Sequence, residues 1–305
     1  MTSTDAEPLV LSHREDAVLT LTLNRPEKSN SLHPDMVEQL STVLKRAEAD
    51  ATESVVVITG AGRSFCAGLD LELLLSWTTD QKLAYLETAI RVFRRIWSLP
   101  QPVIAAVNGP AIAGGFDLAA FCDIRLASKE AIFGQAEINL GLTQIIHPLY
   151  KSIGLARAKE LAMTGRNISA DEAFRIGLVN HVYPREELMP QAIEMARLLA
   201  TKPRGALFET KRLTRELIDM DTTSALEEIS DSFRRCLESN EHRQRVAEVI
   251  ESLKTGTCRQ LGKACRPGCL HSKDAFKPSI PKQFLQSTLA TRHEPGLLPC
   301  VRARA

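Results

Sequence analysis

The chain has 305 residues, of which 44% are hydrophobic and 25% are charged, and its net charge is +1. This composition is typical of a globular protein and excludes disordered and collagen-like chains. The near balance of 38 basic and 37 acidic residues also argues against a dedicated nucleic-acid-binding protein, which would carry a large positive charge.

The first half of the chain is predicted to alternate strands with helices. Continuously apolar runs are typical of strands buried on both faces, and strict alternation is typical of a strand with one buried face. Apolar residues at three- and four-residue steps indicate helices. This alternation predicts a layered α/β architecture with crossover connections. The predicted strands are 18–23, 54–59, 102–107 and 123–127, and the predicted helices are 34–49, 80–99 and 115–121.

The second half of the chain is predicted to be mostly helical. We expect one strand there, over 178–183, and no other. Beyond residue 254 the apolar periodicity ends and proline recurs, which prevents long helices. We therefore expect residues 255–305 to form a mostly disordered extension. The predicted helices are 156–164, 169–176, 190–201, 205–219 and 222–254, the last with a break near residue 239.

The segment 255–305 differs from the rest of the chain in its charge and its cysteine content. It carries nine basic and two acidic residues, whereas residues 1–254 carry 29 and 35. Its cysteines lack the paired Cys-x-x-Cys spacing of zinc sites, so we expect no metal there. Contact of this basic segment with RNA is disfavoured because it lacks interleaved aromatic residues. The residues considered for zinc are Cys258, Cys265, Cys269 and His271.

The cysteine pattern and the termini predict the cellular compartment. Seven cysteines without regular spacing argue against a disulfide framework and favour a reducing compartment. The first residues lack a basic stretch followed by an apolar one, and no apolar stretch is long enough to span a bilayer. The last three residues do not match the Ser-Lys-Leu peroxisomal signal. We therefore expect a cytoplasmic protein without membrane contact.

Two glycine-rich loops follow predicted buried strands. With the ends of those strands, the first runs over 58–70 and the second over 107–118, where Gly114 and Gly115 open a predicted helix. Small residues allow a ligand to approach the main chain closely, and free amides at a helix start can bind an anion or a developing oxyanion. Neither loop has the Gly-x-Gly-x-x-Gly or Gly-Lys-Ser/Thr pattern, which argues against dinucleotide and phosphate-loop sites.

Two acidic residues follow the second loop. Asp117 lies in the first turn of the apolar helix, and Glu137 ends the run Phe-Gly-Gln-Ala-Glu. Apolar neighbours raise the pKa of a carboxyl group toward the range needed for proton transfer at neutral pH. Two such acids beside an oxyanion site would suit enolate chemistry. The alternatives are a helix-dipole partner for Asp117 and a solvated loop carboxylate for Glu137.

Together, these segments resemble the crotonase superfamily, that is, the enoyl-CoA hydratase/isomerase family. The resemblance covers about residues 9–254, roughly four fifths of the chain, and the matching segments occur in the family's order. The matching segments are 23–26 (Leu-Asn-Arg-Pro), 30–32 (Asn-Ser-Leu), 65–70 (Phe-Cys-Ala-Gly-Leu-Asp), 102–115, 119–127, 133–137, 158–165, and 171–173 with 177–179.

This resemblance implies a fold and an assembly. The family has the crotonase (ClpP-like) fold, an α/β spiral of ββα units with two sheets, followed by a helical C-terminal region. We expect the spiral core with the acyl-CoA site over 1–188, a helical oligomerisation region over 189–254, and the basic tail over 255–305. The family also implies a homotrimer or a dimer of trimers.

The resemblance further implies roles for individual residues. The main-chain N–H groups of Leu69 and Gly114 would form the oxyanion hole for the thioester carbonyl, and Asp117 and Glu137 would be the catalytic acid/base pair. CoA arrives as part of the substrate, so no metal, nicotinamide or other cofactor is expected. The residues expected to contact CoA and the substrate are Arg25, Lys28, Ala67, Gly68, Leu69, Asp70 and Gly114.

Two departures from the family pattern bear on the reaction. A hydratase has a pair of glutamates, and Asp117 is one methylene shorter than the first of them. A dienoyl-CoA isomerase has a further Asp eight residues beyond its Glu, and here that position is Ile145. The segment 141–150 lacks the family's Pro-Gly-x-Gly-Gly loop and is shorter. His147 in this segment could replace a lost polar function, although a His before Pro is more often a cap or a surface residue.

The resemblance predicts an acyl-CoA enzyme. We expect an enoyl-CoA hydratase, a hydro-lyase that adds water across the double bond of a 2-enoyl-CoA through a stabilised thioester enolate. The enzymatic alternative is an enoyl-CoA or dienoyl-CoA double-bond isomerase, in which one acid moves a proton between carbons and no water is added. The non-enzymatic alternative is an acyl-CoA-binding scaffold with RNA contact.

Overall fold

The computed structural model of the chain describes residues 7–50 and 52–255. The expectations for the tail, including its cysteines and RNA contact, concern residues outside this range. The strands are β1 (Val10–Glu15), β2 (Val18–Leu23), β3 (Val55–Gly60), β4 (Val103–Val107), β5 (Ala111–Ile112), β6 (Ile124–Ser128), β7 (Ile132–Gly134), β8 (Asn167–Ser169) and β9 (His181–Tyr183).

Helices connect and cover these strands. The α-helices are α1 (Pro34–Ala49), α2 (Leu71–Ser76), α3 (Thr79–Ser98), α4 (Gly114–Ala120), α5 (Leu149–Ile153), α6 (Leu155–Thr164), α7 (Ala170–Arg175), α8 (Arg185–Ala200), α9 (Arg204–Glu216), α10 (Thr222–Glu238) and α11 (Asn240–Lys254). Short 3-10 helices span Pro26–Lys28, Ala136–Leu140 and Leu217–Asp219. No helix among the described residues is long and apolar enough to cross a membrane.

The described strands form two sheets. The larger has the order β1-β2-β3-β4-β6-β9, in which β1 is antiparallel to β2 and every other neighbouring pair is parallel. The smaller has the order β5-β7-β8, in which β7 is parallel to β5 and antiparallel to β8. Because β3 and β4 are parallel neighbours, the loops that follow them leave the same edge of the sheet. The predicted α/β architecture is confirmed.

Strand β3 is buried along its whole length because both faces of the sheet are covered. Val56 belongs to the larger apolar cluster, to which α1 and α3 contribute. Val57 points to the opposite face and belongs to a second cluster with Leu188 and Ala192 of α8. This two-sided cover explains why the strand is apolar at every position instead of alternating.

Two features of the second half differ from the sequence expectations. Helix α8 begins at Arg185 and not at Pro190, which lies inside it. Residues of this helix on both sides of position 188 pack on the sheet, and the boundary expected there stays a prediction. The expectation of a single strand there is wrong, because β8 pairs with β7. A strand of three residues is too short to display a period.

The chain divides into two compact units, one ending at Arg243 and the other beginning at Gln244. The first unit contains both sheets and helices α1 to α10. The described part of the second unit is the remainder of α11 and Thr255. All of the candidate active-site residues lie within the first unit.

Two buried asparagines fix the loop that follows β3. Asn108 Oδ1 accepts a hydrogen bond from Gly60 N at 3.1 Å, and its Nδ2 donates to Gly62 O at 3.1 Å. Asn30 Nδ2 donates to Ser64 O at 2.8 Å. Because these buried amides bond to main-chain atoms, they hold the loop in one conformation without requiring particular loop side chains.

Candidate active site

The two glycine-rich loops lie directly against each other. Cys66 N donates to Pro110 O at 3.1 Å, and Ile112 N donates to Cys66 O at 3.0 Å. These bonds belong to a short parallel bridge between Cys66 and Ala111. A Cβ atom at Gly115 would overlap Cys66 O, so only glycine permits this approach.

Because of this bridge, the main-chain amides of Leu69 and Gly114 lie on neighbouring segments. Gly68 has a φ of +85°, and a Cβ there would lie 3.0 Å from Gly114 N and 2.8 Å from Ile112 O. Leu69 follows Gly68 directly, so its amide and that of Gly114 lie on these two touching segments. Within the part of the chain that the structure describes, neither amide donates a hydrogen bond to a protein group. Two free donors of this kind can bind a carbonyl oxygen that gains negative charge.

Ala113 connects this site to the smaller sheet. Its φ is +51°, a left-handed value that costs a non-glycine residue on the order of 1–3 kcal/mol and that clusters at functional sites. Ala113 N donates to Gly134 O at 2.7 Å, and Ala113 O accepts from Asp117 N at 3.0 Å. Strand β7 and the first turn of α4 are therefore linked through a single residue.

Asp117 and Glu137 are both buried, with 3% and 7% of their surfaces exposed. Asp117 Oδ1 and Glu137 Oε2 are buried and have no hydrogen-bond partner among the described residues. Burial raises the pKa of Asp117 well above its usual 3.8, the charge of Glu137 raises it further, and the Gln135 amide offsets part of the rise. Burial also raises the pKa of Glu137. Burial and the nearby charge of Glu137 thus favour the protonated form of Asp117.

Arg25 and Lys28 both form ion pairs around the first loop. Arg25 Nη1 donates to Asp70 Oδ2 at 2.6 Å, and Lys28 Nζ donates to Glu72 Oε1 at 2.9 Å. Burial tends to raise the pKa of Asp70, but the hydrogen bond and charge of Arg25 hold it below its usual value. Asp70 also caps α2 by accepting from Glu72 N at 3.2 Å. The ionised Asp70 therefore holds the main chain in place directly after Leu69.

The turn after β2 and the segment after Cys66 run side by side. Ala67 N donates to Ser29 O at 3.0 Å, and Leu32 N donates to Gly68 O at 2.7 Å. These bonds place every residue that we expected to contact CoA and the substrate along one continuous strip. The strip consists of Arg25, Lys28, Ala67, Gly68, Leu69, Asp70 and Gly114.

Other residues considered from the sequence lie outside this chemistry. Ile145 packs against the larger apolar cluster. The His147 ring is exposed and lies 6.1 Å from the Trp97 ring and 5.6 Å from the Tyr150 ring, between centroids. Burial raises the pKa of the Cys66 thiol to about 12, so it does not supply a thiolate nucleophile at neutral pH. These placements agree with packing or surface roles.

Gln135 is a site residue that the sequence analysis missed. Its side chain is buried, its Nε2 donates to Ile145 O at 3.0 Å, and its main-chain O accepts from Gln144 Nε2 at 2.9 Å. It directly precedes the 3-10 helix that carries Glu137. An uncharged side chain between a short strand and a short helix gives no periodic signal, and only its position next to the acid motif could have indicated it.

Comparison with known proteins identifies the family to which the chain is similar. A family model described as enoyl-CoA hydratase/isomerase matches residues 13–256. A short-chain-enoyl-CoA hydratase from Clostridium acetobutylicum is 37% identical over 251 residues, covering 80% of this chain and 95% of that protein. A crotonyl-CoA hydratase from Syntrophomonas wolfei is 33% identical over 249 residues, covering 80% and 96% respectively.

A solved structure extends the comparison to the fold. The crystal structure of an enoyl-CoA hydratase from Bacillus anthracis superposes with a TM-score of 0.78 at 32% sequence identity. The similarity covers 80% of this chain and 96% of that one. The predicted crotonase fold is thereby confirmed.

Replacing Asp117 by Asn is expected to reduce the pH dependence of stability. A carboxyl whose pKa is raised in the folded state costs stability as pH rises from its usual 3.8 through its folded value. Asn does not ionise, so the melting temperature of Asp117→Asn relative to the unmodified protein should rise between about pH 4 and about pH 8. Thermal unfolding across this range measures the difference. A difference that stays constant across this pH range would contradict the raised pKa of Asp117.

Proposed function

The chain belongs to the enoyl-CoA hydratase/isomerase family, and on that premise we propose that it adds water across the α,β double bond of a 2-enoyl-CoA. The proposal rests on one observation: two main-chain amides without protein hydrogen-bond acceptors and two buried carboxyl groups lie in the same compact unit of the chain. Two relatives, from Clostridium acetobutylicum and Syntrophomonas wolfei, are named as hydratases, which supports hydration over isomerisation.

The amides of Leu69 and Gly114 bind the thioester carbonyl oxygen in this proposal. Attack on the β-carbon moves negative charge onto that oxygen as the enolate forms. Donors held in place before the reaction stabilise the charge without having to reorganise, and loss of one such donor typically costs on the order of a hundredfold to a thousandfold in rate. Because both donors are main-chain groups, the side chain at position 69 is free to vary.

The two carboxyl groups move the protons. Asp117 has the more strongly raised pKa and holds a proton, whereas Glu137 is ionised and accepts a proton from water. The water oxygen bonds to the β-carbon, the double-bond electrons move to the enolate, and Asp117 gives its proton to the α-carbon. The product gains one water, and the pair still holds one proton.

The CoA portion of the substrate lies along the strip defined above. Lys28 is nearly half exposed at one end of that strip and supplies a positive charge for a phosphate group. The partly buried Arg25 acts through Asp70, which keeps the segment carrying Leu69 in place. CoA enters and leaves as part of the thioester, so the proposed steps use no separate cofactor or metal. The irregular cysteines support a cytoplasmic setting for the reaction.

Isomerisation of a double bond is the second candidate function. The observation that favours it is Asp117, whose shorter side chain places its carboxyl about one bond farther back than a glutamate would, and displacements near 1 Å cost on the order of a hundredfold. A single acid, Glu137, would then move a proton between carbons without using water.

We also propose that the chain assembles as a homotrimer or a dimer of trimers. One face of α10 presents three apolar side chains that are each more than half exposed, Leu226, Phe233 and Leu237. Contiguous exposed apolar surface of this kind marks protein contacts.

Sedimentation equilibrium should give the mass of three or six chains, and Phe233→Asp should shift this mass toward that of smaller species. A monomeric mass for the unmodified protein would contradict the assembly.

Removal of either acid is expected to abolish most turnover while preserving substrate binding. Glu137→Gln and Asp117→Asn should each lower kcat for hydration of crotonyl-CoA by roughly 10²- to 10⁴-fold, because each removes one proton transfer. Loss of enoyl absorbance measures kcat, and calorimetric titration measures CoA-ester binding. Glu87→Gln, at an exposed acid, serves as the control and should retain full rate. Full turnover by Glu137→Gln would rule out the assigned acid/base role.

A further inference from the structure

Tyr85 carries a polar group on the buried face of α3. Its hydroxyl donates a hydrogen bond to Leu32 O. Burial raises the pKa of Tyr85 above its usual 10, so the hydroxyl stays protonated and donates at neutral pH. A phenylalanine would fill the same place in the larger apolar cluster, so the hydroxyl serves the Leu32 carbonyl and not the packing. The buried residues of α3 are Tyr85, Ala89, Val92, Phe93 and Ile96.

Leu32 contacts both segments that carry the two free amides. Its N–H donates to Gly68 O at 2.7 Å, next to a parallel bridge between Leu32 and Leu69. Its side chain lies beside Gly114, because a Cβ there would be 3.3 Å from Leu32 Cδ1. Leu32 therefore joins the two segments, and Tyr85 holds the carbonyl group of this joining residue.

The bond from Leu32 to Gly68 O sets the direction of the Leu69 amide. The Gly68 C=O and the Leu69 N–H belong to one peptide group, which is planar and trans, so the N–H points away from the C=O. Glycine has little conformational preference of its own, so the orientation of this peptide group depends on external bonds. A hydrogen bond to the carbonyl of a peptide group also polarises its N–H and strengthens it as a donor.

We propose that Tyr85 is a positioning residue for the oxyanion site, which acts through Leu32 to keep the Leu69 amide aimed at the thioester carbonyl. The proposal rests on the function given above, in which this amide binds the carbonyl oxygen. Tyr85 acts without touching the substrate, through the bonds from its hydroxyl to Leu32 O and from Leu32 N to Gly68 O. Because the carbonyl oxygen gains its charge during the reaction, a misdirected donor slows turnover more than it weakens binding.

The kinetic test removes the hydroxyl and keeps the ring in the apolar cluster. In Tyr85→Phe, kcat for crotonyl-CoA hydration should fall about tenfold, less than the roughly hundredfold typical for a lost donor, because the amide is misdirected and not removed. The dissociation constant of butanoyl-CoA, which has no double bond to hydrate, should stay within about twofold. The control Tyr183→Phe removes the same atom from β9, beside the second apolar cluster, and should retain full kcat.

A second measurement follows the carbonyl group directly and needs no turnover. Isotope-edited infrared spectroscopy of butanoyl-CoA, labelled with carbon-13 at its carbonyl, reports how strongly the bound thioester is polarised. The carbonyl stretch should fall in frequency on binding to the unmodified protein, because the two donors draw charge onto the oxygen. It should return toward its value in solution in Tyr85→Phe and stay low in Tyr183→Phe. A general loss of stability would lower the melting temperature without moving this frequency.

The outcomes separate the role of Tyr85 from the proposed function. A carbonyl stretch that stays low in Tyr85→Phe, or that returns equally in Tyr183→Phe, would overturn the role of Tyr85 whatever the kcat values are. If the unmodified protein lowers the stretch but hydrates no 2-enoyl-CoA, the proposed function is overturned, and the infrared shift alone decides the role of Tyr85.

Discussion

Backbone-to-backbone contact between the loops that follow β3 and β4 is the constraint on which the site depends. The two strands are parallel neighbours, so their loops leave the sheet at one edge. Glycine then allows the loops to touch: a Cβ at Gly109 would overlap Arg63 O, and a Cβ at Gly115 would overlap Cys66 O. Without this contact the Leu69 and Gly114 amides would not lie on adjacent segments, and the pair of donors that the proposed function requires would be lost.

The site is assembled from features that work against stability. Ala113 has a strained backbone, two main-chain amides are left without protein acceptors, and two buried carboxyl groups have raised pKa values. Each of these features lowers the free energy of unfolding, so its presence calls for a functional reason. They are tolerated because the surroundings are rigid: a sheet covered on both faces, asparagines that fix the first loop, and the Arg25–Asp70 ion pair. Their concentration around one point argues for catalysis more strongly than any single residue does.

The sequence predicts the strands and helices that have strong periodic signals, but it does not predict the short ones. The apolar runs of β3 and β4 and the helical spacing of α1 and α3 are long enough to identify. Strand β8 has three residues, and Pro190, which the local pattern indicates as a helix start, lies inside α8. Such short segments depend on tertiary pairing, which no local pattern reveals.

The same limit applied at the site. The glycines and both acids could be identified from residue type and position, because close approach and proton transfer require those particular residues. That Arg25 is bound to Asp70, and that Gln135 reaches Ile145, depends on contacts between residues distant in sequence or on the path of a loop. These roles become visible only when the chain is folded.

The central claim is that the two amides and the two acids together add water to a 2-enoyl thioester. Incubation with crotonyl-CoA in water enriched in oxygen-18, followed by mass spectrometry of the acyl product, tests it most directly. Hydration predicts a hydroxyacyl-CoA that carries one oxygen-18 atom from the solvent in its hydroxyl group. Unlabelled product, or a product that differs from the substrate only in the position of its double bond, would contradict the account.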